Sequence, residues 1–293
     1  MGPNRGWVVW AGGIFLILGL FLVFMAAGWP GGPDSCLHVV NGVLTPDADG
    51  HLDQCYCEAY NFDKVMRNAP GVRQPVNTWF NLYSIATSFI VALFVYLDRV
   101  AKRTDNVIRS DNPIADVYIF AVLFLGLGSM WFHASLTTGL AWMDGFSMYV
   151  YAAFLVFYTV RRWWKSDLFF WIAYPATVLA FTITGALWHW QYSSLVLIVT
   201  LVVAYLALEF TVGGLKHNVL LGTSLTYWLW GLAVASILAA TVFWKLSQTG
   251  GPMCHPFDFF QPHGLLWHPL AGVMAVLLYF YWRAEPADPP PAP

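Results

Sequence analysis

An all-α bundle of membrane-crossing helices is the fold class this sequence predicts, on three observations. Of 293 residues, 58% are hydrophobic and only 10% are charged, against about 25% charged in a soluble domain. The apolar residues are gathered into eight runs, each near the ~20 residues a helix needs to cross a bilayer. Trp or Tyr marks many of the run ends, where an apolar body and a polar tip suit a membrane interface. A net charge of −2 leaves no basic surplus for nucleic acid.

In order, the runs span Trp7–Trp29, Asn77–Leu97, Ile114–His133, Trp142–Val160, Leu168–Leu187, Ser193–Val212, Gly222–Trp244 and Gly264–Trp282. The first reads either as a retained helix or as a signal peptide. Its apolar core exceeds the usual ~7–15 residues, Arg5 is the only basic residue before it, and MAAGW is a weak cleavage site, so a retained helix is expected. Residues 31–76 form a long Cys-containing loop. The tail EPADPPPAP is Pro-rich and is expected to be disordered over 284–293. No soluble domain and no internal repeat is evident.

Lys and Arg in the short loops set the orientation. With the N-terminus inside, the inner loops hold Arg5, Arg99, Lys102, Arg103, Arg109, Arg161, Arg162, Lys165, Lys216 and Arg283. The outer loops hold only Lys64, Arg67, Arg73 and Lys245. All four cysteines, Cys36, Cys55, Cys57 and Cys254, then fall outside, as disulfides in an oxidising compartment would. Four cysteines allow three pairings, and spacing does not choose among them. Cys36–Cys55 with Cys57–Cys254 is the pairing expected here, the second joining the first long loop to the last one.

The same topology gathers polar groups at the outer level. GSMWFHASLTTGLAWMD runs from Gly128 to Asp144, and its Ser129 and His133 lie four apart, on one helix face. Asp144 opens the fourth run. HPFDFFQPHGLLWHPL brings His255, His263 and His268 to the start of the eighth. Ionisable groups in membrane spans are costly and mark function by default. A hydrolytic zinc site needs three protein ligands and an open position, and His133, His263 and His268 supply three nitrogens. Such a metal would lower the pKa of a bound water to about 7. Asp144 would serve as general base and Ser129 as donor to a developing oxyanion. Simpler readings exist for each group alone: an interfacial histidine, a helix-packing serine, an aspartate N-cap. His38, His51, His189 and His217 read as loop residues, and Glu209 as a side chain snorkelling from an inner helix end.

The Ser129–His133–Asp144 spacing resembles the alkaline ceramidase family, membrane amidases of a superfamily that includes the adiponectin-type receptors. In that family a serine, a histidine four later and an aspartate eleven after that sit on the second and third helices. A His-rich motif ending Trp-His opens the last helix, and QPHGLLWHPL is similar to it. CEAYNFDKVMRNAPGVRQPVNTWFN resembles the family's first-helix motif through Cys57, Glu58, Asn77, Thr78 and Asn81, with Phe80 replacing an expected serine. The resemblance covers about Cys57 to Trp282, in islands. It implies a seven-helix core over 77–283 after the extra N-terminal helix (1–30), a buried zinc ion, and cleavage of the N-acyl amide of ceramide or a similar lipid. The RQPVNT form looks bacterial, which implies an inner membrane, and the loop-charge topology puts the site on its exterior side. Eukaryotic members bind calcium near Glu58. Here Gln74 stands in place of the second glutamate, and calcium prefers several charged oxygens, so the calcium site implied at Glu58 lacks its second carboxylate.

One departure bears on the metal. The family separates its late histidines by three residues, whereas four lie between His263 and His268. On a regular helix these are about 140° apart and cannot face one ion. Four outcomes are open: His263 precedes the helix, a π-bulge absorbs the extra residue, His255 replaces His263, or zinc is lost. The leading expectation is a zinc-dependent amidohydrolase. The alternatives are a lipid-binding, receptor-like protein without turnover and a bis-histidine haem protein. The sequence leaves the acyl chain and the oligomeric state open.

Overall fold

The computed structural model describes residues 2–33, 39–40, 43–44, 56–104, 106–187, 193–211 and 224–285. Among them the regular elements are helices apart from a two-stranded ladder, β1 (Val39–Val40) with β2 (Val43–Leu44), and an isolated bridge between Pro33 and Thr137. The helices are α1 (Arg5–Ala27), α2 (Phe62–Met66), α3 (Pro75–Phe80), α4 (Tyr83–Val100), α5 (Ile114–Ser135), α6 (Thr138–Trp164), α7 (Asp167–Leu187), α8 (Ser193–Thr211), α9 (Ser224–Leu246) and α10 (His268–Arg283). A π turn over His263–Trp267 leads into α10. Seven helical segments are long and apolar enough to cross a membrane, with α3 and α4 forming one crossing and the π turn with α10 another. α8 is an eighth apolar helix. The eight sequence runs are thus helical over their described residues, and the bundle has helices of the length and apolar composition that fit an integral membrane protein. The Pro-rich tail beyond 285, Cys36–Cys55, His38, His51, His189 and His217 lie outside the described residues.

α5 is the axis of the bundle and is buried along most of its length. Gly126 and Gly128 explain how its neighbours come so close. Two residues apart on a helix is about 200°, so the two glycines open opposite flanks. A Cβ on Gly126 would lie 2.5 Å from the Asn81 carbonyl oxygen and 2.6 Å from Ser84, where α4 packs. A Cβ on Gly128 would lie 2.5 Å from the Ser147 Cβ of α6. Small residues at such crossings let membrane helices approach backbone to backbone. α1 lies against α5 at Gly6 and Gly13 and donates its Trp10 indole N–H to Ser88 Oγ of α4 at 3.0 Å. Its other face, with Phe15, Leu16 and Val23, is exposed.

Ion pairs among the helices collect at one end of the bundle. Asp116 at the start of α5 accepts two bonds from Arg99 of α4, at 2.7 and 3.0 Å, and pairs with Arg5 of α1. Asp98 accepts two bonds from Arg283 of α10, at 2.7 and 2.9 Å. Arg161 of α6 pairs with Asp167 of α7 at 2.7 Å. Arg162 lies between Glu209 of α8 and Glu285. Glu209 corrects the expectation of a snorkelling side chain. It is fully buried, and accepts hydrogen bonds from Thr159 at 3.0 Å and from the Tyr281 hydroxyl at 2.9 Å. A carboxylate buried in an apolar bundle needs a counter-charge and donors, and α6 and α10 supply them.

The two flanks of α5 give a direct test. Gly126→Leu should lower the thermal unfolding midpoint in detergent by several degrees, because overpacking costs about 1–3 kcal/mol or more. Gly12→Leu, on an open face of α1 with nothing within 4 Å, should leave the midpoint unchanged.

Candidate metal centre

The opposite end of the bundle carries the histidines. His133 lies in the last turn of α5. That helix is stopped sharply two residues later: Leu136 adopts a left-handed φ of 53° and donates its N–H to the Phe132 carbonyl at 2.7 Å. Thr137 then leads straight into α6. α6 therefore begins at Thr138 rather than near Trp142, and Asp144 lies nearly two turns inside it. This rules out Asp144 as an N-cap. Asp144 is instead buried, with Ser129 as a side-chain neighbour across the α5–α6 packing.

The spacing of His263 and His268 is resolved by local backbone geometry. The N–H of His268 donates to the carbonyl of His263, five residues back, so the extra residue is taken up in one wide turn. Pro269 makes such a turn inexpensive. It has no N–H to give to the Leu265 carbonyl, so the α-helical ladder is already interrupted there. Gly264 lets the turn sit against α3, since a Cβ there would lie 2.9 Å from Asn77 Oδ1 and 3.1 Å from the Val76 carbonyl oxygen. The two rings come to one side with centroids 4.6 Å apart. His255 is exposed and takes no part.

His133, His263 and His268 are all buried, and one ring nitrogen from each lies within 4.8 Å of the others. His133 Nε2 and His263 Nε2 are 3.2 Å apart. Two nitrogens of a tetrahedral zinc site, each about 2.0–2.1 Å from the ion, stand about 3.3 Å apart. His263 Nδ1 and both nitrogens of His268 are buried without a hydrogen-bond partner. Unpartnered buried polar atoms are uncommon and call for an unseen ion or water. The three histidines fit a metal ion.

His133 is also oriented from behind. Gln74 Oε1 lies 2.9 Å from its Nδ1. The Gln74 amide cannot be reversed, because its Nε2 donates to the Glu58 carbonyl at 3.0 Å. An amide oxygen only accepts, so Nδ1 of His133 carries the proton and Nε2 keeps its lone pair toward the cluster. The Gln74 N–H further bonds the His133 carbonyl at 3.1 Å. Glu58 caps α3: its two carboxylate oxygens accept the N–H groups of Val76 and Asn77 at 2.7 and 2.8 Å. Burial pushes its pKa up, while those two backbone bonds pull it down. Each Glu58 carboxylate oxygen is thus engaged by one backbone N–H group.

Two loops close over the cluster. Cys57 and Cys254 form a disulfide that joins the segment before α3 to the segment before the π turn. Tyr56, next to Cys57, stacks on the His263 ring at 4.3 Å. Tyr83 stacks on His268 at 6.3 Å and also lies within electrostatic reach of Asp144. Sequence reasoning singled out His133, His263, His268, Ser129 and Asp144, and the structure brings the three histidines together and pairs the other two. It missed Gln74, Tyr56 and Tyr83. Gln74 carried a signal, as the uncharged residue in an otherwise acidic position; the tyrosines carried none. No protein-family model and no curated protein matches the chain.

Two measurements follow from this geometry. Gln74→Leu should weaken metal affinity about 10–100-fold, the usual cost of losing a ligand's hydrogen-bonding partner, as read by competition against a chelating dye. Deletion of Leu265 should convert the π turn to an α turn with the histidines four apart, and leave the bound metal in place. An additional residue inserted there should abolish binding.

Proposed function

We propose that the chain is a zinc-dependent membrane amidohydrolase that cleaves the N-acyl amide of ceramide or a similar lipid. The observation that carries this reading is the convergence of three buried, partly unpartnered imidazoles beside a Ser129–Asp144 pair. Pure metal storage has no use for that pair. The similarity of the Ser-x₃-His-x₁₀-Asp and QPHGLLWHPL motifs to alkaline ceramidases supports the substrate class. His133, His263 and His268 would hold the ion. Zinc at such a site supplies an acidified water and polarises a carbonyl oxygen.

The remaining chemistry belongs to the chain. Amide hydrolysis adds water to the carbonyl carbon, breaks the C–N bond, and yields a fatty acid and an amine. Asp144 takes the proton of the attacking water and returns it to the leaving nitrogen. The Ser129 hydroxyl, beside Asp144, has one proton, which it would give to that carboxylate as a hydrogen bond in the resting arrangement. Once Asp144 is protonated that bond is no longer needed, and the hydroxyl is free to turn to the developing oxyanion. Tyr83 stacks on His268.

The site is assigned to the exterior side of the membrane, in a bacterial inner membrane. The Cys57–Cys254 disulfide beside it needs an oxidising compartment. Paired Arg residues occupy the other end, as the positive-inside rule expects. A lipid amide near the headgroups would reach this level from within the bilayer.

Fatty-acid release from N-acyl lipids by zinc-loaded protein tests the reading. Asp144→Asn should reduce turnover about 10²–10⁴-fold with zinc content retained. Zinc-loaded wild-type protein that binds lipid amides without releasing fatty acid would instead indicate a receptor-like binding protein.

A further inference from the structure

Large exposed apolar side chains mark the lipid-facing surface of this bundle. Among the described residues they all lie on the apolar helices, with three exceptions: Phe257, Phe259 and Phe260, which are 93, 71 and 49% exposed. These three belong to the loop between α9 and the π turn, within the sequence PFDFFQ.

The loop holds them outward rather than leaving them loose. Cys254 is tied to Cys57, and the Ala59 N–H donates to the Pro256 carbonyl at 2.9 Å. The loop is anchored from within by the buried Gln261, whose Nε2 donates to the carbonyls of His255 and Asp258, at 2.9 and 2.7 Å. Phe259 meets Phe80 edge-on at 6.4 Å. Phe80 ends α3 beside Trp79, itself 43% exposed at the outer end of a membrane crossing. The phenylalanines thus continue the aromatic belt of the lipid-facing surface. The loop runs directly into His263.

We propose that Phe257, Phe259 and Phe260 form a wedge inserted into the outer leaflet beside the histidine cluster, covered by phospholipid. Three rings presented by an anchored loop make an apolar patch that water would cover at a cost, and such patches mark interaction surfaces. The exposed Asp258 between them sets the depth at the headgroup and upper acyl region, because a carboxylate does not enter the hydrocarbon core unpaired. The wedge parts headgroups next to the cluster. This inference rests on the membrane placement of the bundle and not on the hydrolase reading.

The full-length protein, reconstituted in phosphatidylcholine vesicles, provides the test. Phe257→p-benzoylphenylalanine and, separately, Phe259→p-benzoylphenylalanine are irradiated and their adducts identified by mass spectrometry. Leu238→p-benzoylphenylalanine, on the exposed face of α9, is the lipid-facing reference. Phosphatidylcholine adducts at positions 257 and 259, in yields within several-fold of that at 238, are expected. Adducts at 238 with only protein–protein cross-links, or none, at 257 and 259 would overturn the wedge. Absence of lipid adducts at all three would overturn the membrane placement and the wedge with it.

Discussion

Three imidazoles buried at one point in an apolar bundle are the constraint on which the rest of this structure turns. His133, His263 and His268 have almost no surface left to water, and three of their ring nitrogens have no hydrogen-bond partner. Each unsatisfied buried polar atom costs about 1–3 kcal/mol. A cation held by all three histidines turns that cost into coordination. The surrounding features then have a common purpose. The left-handed Leu136 ends α5 just past His133, the π turn aligns His263 with His268, and Gln74 fixes the tautomer of His133.

The two ends of the bundle are built from different forces. At the arginine end, Arg5, Arg99, Arg162 and Arg283 pair with Asp116, Glu209, Glu285 and Asp98 and tie six helices together. Such pairs chiefly avoid the larger cost of a lone buried charge. At the histidine end a disulfide, a carboxylate helix cap and stacked rings hold the loops over the histidines. Helix α5 connects the two, with Asp116 in its first turn and His133 in its last. Gly126 and Gly128 between them set how closely α4 and α6 pack on it, and hence how closely Asp144 approaches Ser129.

Much of this is legible in the sequence because membranes enforce simple rules. Eight apolar runs correspond to eight helices, and loop charge separates the two ends. Ser129 and His133 are legible because four residues make about one helical turn. The His263–His268 pair is not, since spacing alone does not tell a π turn from a lost site; Pro269 is the sign that the α ladder fails there. Asp144 reads as a helix start because Thr137–Gly139 looks like a polar gap, whereas a two-residue link suffices. Glu209 reads as a snorkelling side chain because its partners, Arg162, Thr159 and Tyr281, come from distant segments. Gln74 stands out for the charge it lacks, and its actual contact with His133 depends on tertiary packing.

The central claim is that all three histidines hold one ion despite their irregular spacing. X-ray absorption at the zinc edge, on protein loaded with one equivalent of zinc, tests it most directly. The account predicts three imidazole nitrogens at about 2.0–2.1 Å, falling to two in His268→Ala. A spectrum with fewer than three imidazoles in the wild type, or one unchanged by His268→Ala, would contradict it.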